Sequence, residues 1–184
     1  MPLISFRPLA RADFPLLSYW LHQPHVARWW ADDPSPTALE QDYGACIDGR
    51  EPAQVFIALA DSAPVGLVQR YRLAAYPEYL AELATLIHML ARASSIDFFV
   101  GEPTLLRQGL GSATLRAFAD ASWRADPGAS CILVPTHADN LLSQRALERA
   151  GFARVAQGEL PPDNLADTRA HVLYQLDAPA PILD

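Results

Sequence analysis

The chain has 184 residues, 51% hydrophobic and 19% charged, a composition that builds one ordinary globular domain and excludes disorder over its bulk. Fourteen arginines and no lysine stand against 21 acids, for a net charge of −7; with no basic cluster, nucleic-acid binding is excluded and a cationic partner suits the field better. Cys46 and Cys131 are too few for a disulfide framework and lack metal-ligand spacing, which points to a reducing, cytoplasmic compartment without a metal.

The opening MPLISFRPLARADF has no basic segment followed by an apolar run, and the most apolar stretch, Leu80 to Ala93, carries Glu82, His88 and Arg92; no targeting or membrane segment is expected. Leu3 to Pro8 alternates as a first strand. Asp13 then precedes a helical stripe of Phe14, Leu16, Leu17, Trp20 and Leu21. Pro24 opens a short second helix, PHVARWW, and Ser35-Pro36-Thr37 begins a third, with Thr37 and Glu40 at capping-box spacing and an end near Gly49. Gln54 to Leu59 and Val65 to Tyr71 form a hairpin around Asp61-Ser62-Ala63-Pro64.

Ala74 to Ser95 reads either as a loop with a helix or as a strand extension. Ser95 to Val100 is an apolar strand holding one acid, Asp97. A helix with Leu115, Phe118, Ala119 and Ser122 on one face follows a glycine-containing loop. Cys131 to Val134 is a strand, Asn140 to Ala150 a helix stopped by Gly151, and Ala153 to Ala156 and Ala170 to Tyr174 are the last strands. The predicted order, β-α-α-α-β-β-β-α-β-α-β-β, makes a mixed α/β layer in a single domain over 1–178, with the tail fraying.

The loop Arg107-Gln108-Gly109-Leu110-Gly111-Ser112 lies between a strand and a helix. Its glycines leave backbone N–H groups unobstructed, and the helix adds its own orphan donors, a combination that suits a pyrophosphate. It is neither a Walker loop nor a dinucleotide fingerprint, and by itself a turn that needs glycine explains it as well. About thirty residues on, His137-Ala138-Asp139-Asn140 opens a helix closing in Arg145-Ala146-Leu147-Glu148-Arg149-Ala150-Gly151-Phe152.

The two blocks together resemble the GNAT (GCN5-related N-acetyltransferase) superfamily. The segments Trp20-Leu21-His22-Gln23-Pro24-His25-Val26-Ala27-Arg28-Trp29-Trp30 and Ile96-Asp97-Phe98-Phe99-Val100-Gly101-Glu102-Pro103 look most like its aminoglycoside 6′-N-acetyltransferase branch; siderophore-type lysine N-acyltransferases share the first of them. The resemblance implies a GNAT-like fold in which two splayed strands hold acetyl-CoA as co-substrate, with Phe99, Val100, Arg107, Gln108, Gly109, Leu110, Gly111, Ser112 and Asn140 binding it. It also implies a small cationic amine as acceptor, a 6′- or 2′-amine of an aminoglycoside. Leu106 departs from the family at the position three before the first loop glycine, and Leu147 stands where many relatives place a tyrosine acid.

Asp97, an acid in an apolar strand, fits either a proton acceptor for the substrate amine or a structural carboxylate held by backbone donors. Asn140 fits a bond to the pantetheine arm or an N-cap. Trp29 and Trp30 point about 100° apart on a helix, so Trp30 can line a site while its neighbour packs, or both can be core. Tyr71 joins Trp30 as an expected substrate contact. Asp33, Glu78 and Glu82, with Asp32, are the candidate acidic rim, or else solvated surface acids. His22 and His25 have no further ligand in register for a metal. The expected activity is N-acetylation by direct attack in a ternary complex; a siderophore-type acylation and a non-catalytic acyl-CoA-binding module are the alternatives. A monomer or weak dimer is expected.

Overall fold

The computed structural model describes residues 2–88, 92–162 and 167–179. In chain order the elements are β1 (Ile4–Pro8), α1 (Phe14–Leu21), α2 (Pro24–Ala27), α3 (Pro36–Ile47), β2 (Gln54–Ala60), β3 (Ala63–Arg72), α4 (Pro77–Leu83), β4 (Ala93–Val100), α5 (Leu110–Ala125), β5 (Cys131–His137), α6 (Leu141–Ala150), β6 (Ala153–Glu159) and β7 (Ala170–Asp177). The strands form one mixed sheet in the order β1-β2-β3-β4-β5-β7-β6.

Several element ends follow from local chemistry. The hairpin turn is tighter than expected: Ala60 pairs with Ala63, and Asp61 and Ser62 take left-handed backbone angles, φ 47° and 69°, whose twist matches the flanking strands. The cap of α3 is Ser35, not Thr37. The Ser35 hydroxyl accepts from the Ala38 N–H, and Glu40 instead reaches Arg11 at 2.7 Å. Gly151 ends α6 at φ 100°, as a left-handed cap requires. The ambiguous stretch contains a helix, α4, which the predicted order left out. Residues 175–177, beyond the Tyr174 end expected for the last strand, are the end of β7, paired with β5 as far as Asp177↔Cys131. The last five residues lie outside the described ones.

The two sheet faces carry different helices. Strand alternation sends Val68, Ile96, Ile132, Val134 and Val172 to one face, where α5 and α6 cover them with Leu115, Phe118 and Leu147. The opposite face takes Ile57 and Leu67 under α1 and α3, with Leu17, Trp20 and Leu39 fully buried. Further along that face Leu73 and Leu83, at the ends of the α4 segment, pack with Ala93, Cys131, Leu133 and Leu173. Cys131 is therefore a core residue. Burial at roughly 25 cal/mol per Å² of apolar surface is what holds the helices down.

The sheet is interrupted at its centre. Strands β1–β4 are antiparallel, and so are β5–β7; β4 and β5 run parallel and share only the pairs Ala93↔Cys131, Ser94↔Ile132 and Ser95↔Leu133. Beyond them the two strands part. Along β4, Ala93 to Ile96 are buried and Asp97 to Val100 are only partly so: burial drops where the partner strand leaves.

Candidate active site

A cleft of about 750 Å³ opens where β4 and β5 separate. Ile96, Asp97 and Phe98 form one wall and Val134, Pro135, Thr136 and His137 the other. The described lining holds four aspartates, Asp32, Asp42, Asp97 and Asp167, two histidines and no arginine. With no lysine in the chain, the space is electronegative.

Asp97 projects on the face shared with α1–α4. Its cross-strand neighbour is Gln69, whose Nε2 donates to Asp97 Oδ2 at 2.9 Å. Tyr71, diagonal to it on β3, has its hydroxyl pKa pushed well above the usual range, first by burial and then by the Asp97 charge. The Tyr71 ring packs edge-on with Tyr76 at 5.1 Å and lies 6.3 Å from Tyr79, both carried by the α4 segment. On the other flank Phe99 meets Trp30 edge-on at 5.0 Å. Trp30 Nε1 donates to Asp32 at 2.8 Å, and the Tyr43 hydroxyl donates to the same oxygen at 2.6 Å. Desolvation first, and then the charges of Asp32 and Asp33, hold Asp42 above the ordinary carboxylate range. Trp29 and Trp30 both line the cleft, so neither is simply core.

The far wall is anchored differently. His137 Nδ1 accepts from the Asp139 N–H and the ring faces Thr168 through Nε2, which fixes the tautomer with the proton on Nε2. Trp29 packs against His137 at 5.4 Å, and Arg28 pairs with Asp167 at 2.6 Å. Asn140 is the N-cap of α6, its Oδ1 accepting from Ser143 N–H, and it lines the cleft as well. Both expected readings of Asn140 are therefore geometrically open at once.

Strand alternation decides which β4 amides face the gap. Gly101 N–H donates to Val65 C=O, so Phe99 N–H belongs to the β3 ladder while those of Phe98 and Val100 point to the side β5 has left. The Phe99 amide is thus committed to the sheet, and the amides on the gap side are those of Phe98 and Val100. Val100 C=O, on the same open side, is held by His25 Nε2 at 2.8 Å. His22 turns instead to Ser18 C=O, and the two histidines share no ligand position. Among the described residues no group of three or more His, Cys, Asp or Glu is arranged for a metal.

The loop ahead of α5 is exposed at Arg107, Gln108 and Gly109. Arg107 and Gly109 take φ 61° and 83°, and Gly109 is the N-cap. Alternating left-handed and ordinary residues in this way aims successive N–H groups to one side, and those of Leu110, Gly111 and Ser112 have no intrahelical partner. Ser112 Oγ donates back to Gly109 C=O at 2.9 Å, and the Leu110 side chain is buried, so it offers its amide alone. A side chain added at Gly111 would meet Ala146, Phe98 and Val100 at 3.5–3.9 Å, in the α5–α6 packing rather than on the loop's open side.

Not every expected residue reaches the cleft. Asp33 accepts from Ser35 N–H ahead of α3, and Glu78 and Glu82 lie on α4 outside the lining. Asp42, Gln69, Tyr76, Tyr79 and His137 are the residues sequence reasoning missed. Gln69 carried a signal, because it sits two residues before Tyr71 on a strand and so shares its face. Leu147 is fully buried, away from the lining.

An acetyltransferase (GNAT) domain family model matches residues 10–160. The aminoglycoside N(6′)-acetyltransferase type 1 of Klebsiella pneumoniae is 25% identical over 154 residues, covering 82% of this chain and 74% of its own. Among solved structures, an aminoglycoside acetyltransferase AAC(6′)-Ib in complex with coenzyme A superposes with a TM-score of 0.76 at 22% identity, over 93% of this chain and 94% of that one. An uncharacterised protein from Bacillus halodurans reaches 0.78 at 18% identity, over 95% and 83%. The matched model spans most of the sheet, the parted strands and the glycine loop, and the chain belongs to the acetyltransferase (GNAT) domain family.

Proposed function

We propose that the protein transfers an acetyl group from acetyl-CoA to an amine of an aminoglycoside. One observation carries the reading: the gap between β4 and β5 places a carboxylate, Asp97, beside outward-facing backbone amides in a cleft lined by aspartates and without arginine. The similarity to an aminoglycoside N(6′)-acetyltransferase supports the acceptor class.

The residues fit acetyl-CoA. The amides of Leu110, Gly111 and Ser112, at the positive end of α5, suit its pyrophosphate, with Arg107 and Gln108 exposed beside them. Phe98 and Val100 N–H groups and Asn140 flank the route from that loop into the cleft. Bound there, acetyl-CoA supplies an activated acetyl thioester. Val100 N–H faces the space in which the thioester oxygen develops charge, and a preorganised donor is worth most in such a position.

On the acceptor side, aromatic faces of Trp30, Tyr71, Tyr76 and Tyr79 suit a sugar ring or an ammonium, while Asp32 and Asp42 attract further ammonium groups. Asp97 holds the reacting ammonium and takes one proton, freeing the lone pair to attack the thioester carbon; the C–S bond breaks, CoA leaves as its thiolate, and the proton shed by the acylated nitrogen passes through solvent to that thiolate. No covalent enzyme intermediate is needed. A CoA-release assay across aminoglycosides, small monoamines and lysine derivatives tests the reading: turnover confined to aminoglycosides supports it, and turnover only with lysine derivatives, or none at all, overturns it.

A further inference from the structure

Gln69 takes no part in the reaction as set out above, yet it is the side chain set against its carboxylate. The register places Gln69 directly opposite Asp97 and Tyr71 opposite Ser95, so all four share one face of the β3–β4 pair. Gln69 spends an amide proton on Asp97 Oδ2 at 2.9 Å. That donor is neutral. An arginine in the same place would hold the carboxylate equally well but cancel its charge, and with it the attraction for an ammonium.

We propose that Gln69 is a positioning residue that keeps Asp97 ionised and oriented, and so sets the lower pH limit of amine acetylation. The inference rests on the reading of Asp97 as the proton acceptor. A hydrogen bond given to a carboxylate favours its charged form, so removing a donor raises the pH at which the group becomes protonated. The titratable groups around this face are Tyr71 on β3, Tyr79 and Tyr76 from the α4 segment, Asp32, Asp42 and Tyr43 from the α2–α3 region, and His137, Asp167 and His171 across the gap. All of them are unchanged in the Gln69 variants below and act as a constant background.

The experiment compares wild type with Gln69→Leu, of nearly conserved volume. Two quantities are followed: the acid limb of kcat/KM with a fixed aminoglycoside, and the Asp97 carboxyl carbon shift by NMR in the free protein, assigned by its loss in Asp97→Asn. Circular dichroism and acetyl-CoA calorimetry establish that the variant is folded. The expected result is that both midpoints move to higher pH by about one unit, with the plateau kcat/KM within a few-fold of wild type. If neither midpoint moves and activity falls evenly at all pH values, Gln69 is merely structural and the inference is overturned. If the carboxyl midpoint moves and the acid limb does not, the inference is overturned through its premise, since Asp97 then does not govern the rate. Should that variant fail to fold, Gln69→Asn supplies the second test, because its shorter side chain withdraws the donor while keeping the polarity; an unmoved Asp97 midpoint there overturns the inference.

Discussion

An aminoglycoside amine is largely protonated near neutral pH, and an ammonium has no lone pair; the role proposed for the Asp97 carboxylate is to free it. Asp97→Asn keeps its size and loses its charge; kcat should fall by about 10²–10⁴-fold with acetyl-CoA affinity nearly unchanged, and the defect should shrink at high pH where more amine is neutral. Steady-state kinetics against pH, with calorimetry for the nucleotide, decides it. The two loop glycines should behave differently. Gly109 needs its left-handed angle, and any L-residue there costs about 1–2 kcal/mol, so Gly109→Ala should weaken acetyl-CoA binding about 5–30-fold. Gly111→Ala, whose new methyl finds ordinary packing distances, should bind acetyl-CoA close to wild type; equal losses at both positions would refute this account of the loop. Away from the cleft, Arg7 holds buried Asp13 through two 2.7 Å bonds and keeps its carboxyl below the usual range. Its stabilisation is complete above the unfolded-state pKa and is lost as pH falls through the lower folded one. Asp13→Asn should therefore flatten the acid limb of the stability profile measured by thermal unfolding.

At the scale of elements, local signals and long-range ones separate cleanly. The stripe of Leu115, Phe118, Ala119 and Ser122 and the terminating Gly151 are local, and α5 and α6 were legible from them. The α4 segment was not, because seven residues make less than two full periods and its formation depends on Leu73 and Leu83 reaching a core supplied by β4, β5 and β7. The same dependence explains the site. Asp97 and the glycine loop lie close together in sequence and stand out from it locally, whereas Tyr76, Tyr79 and Asp42 reach the cleft lining on elements whose packing no local pattern announces. Glu78 and Glu82 were chosen by charge, although it is Tyr79 on the same short helix and Tyr76 just before it that line the cleft. Leu83→Ala removes a fully buried side chain and should cost about 2–5 kcal/mol of stability. It should also raise acceptor KM more than acetyl-CoA KM, because α4 carries Tyr79 on the acceptor side; equal changes in both would argue against that role.

For the whole molecule, the net charge of −7 and the aspartate-lined cleft act in the same direction on a polycation. Acceptor KM should rise with ionic strength as the attraction is screened over about 10 Å at 0.1 M salt, while a salt-independent KM would detach acceptor choice from the field. The parting of β4 and β5 has a mechanical side too. Each half of the sheet is tied internally by antiparallel ladders, and the backbone link between the halves is three parallel rungs. On the α5–α6 side a hydrophobic core spans both halves behind those rungs. A molecule wedged in the gap touches both walls and supplies the missing rungs, so ligation should slow amide exchange at Phe98 and Val100 and across the whole of β5, well beyond the atoms it touches.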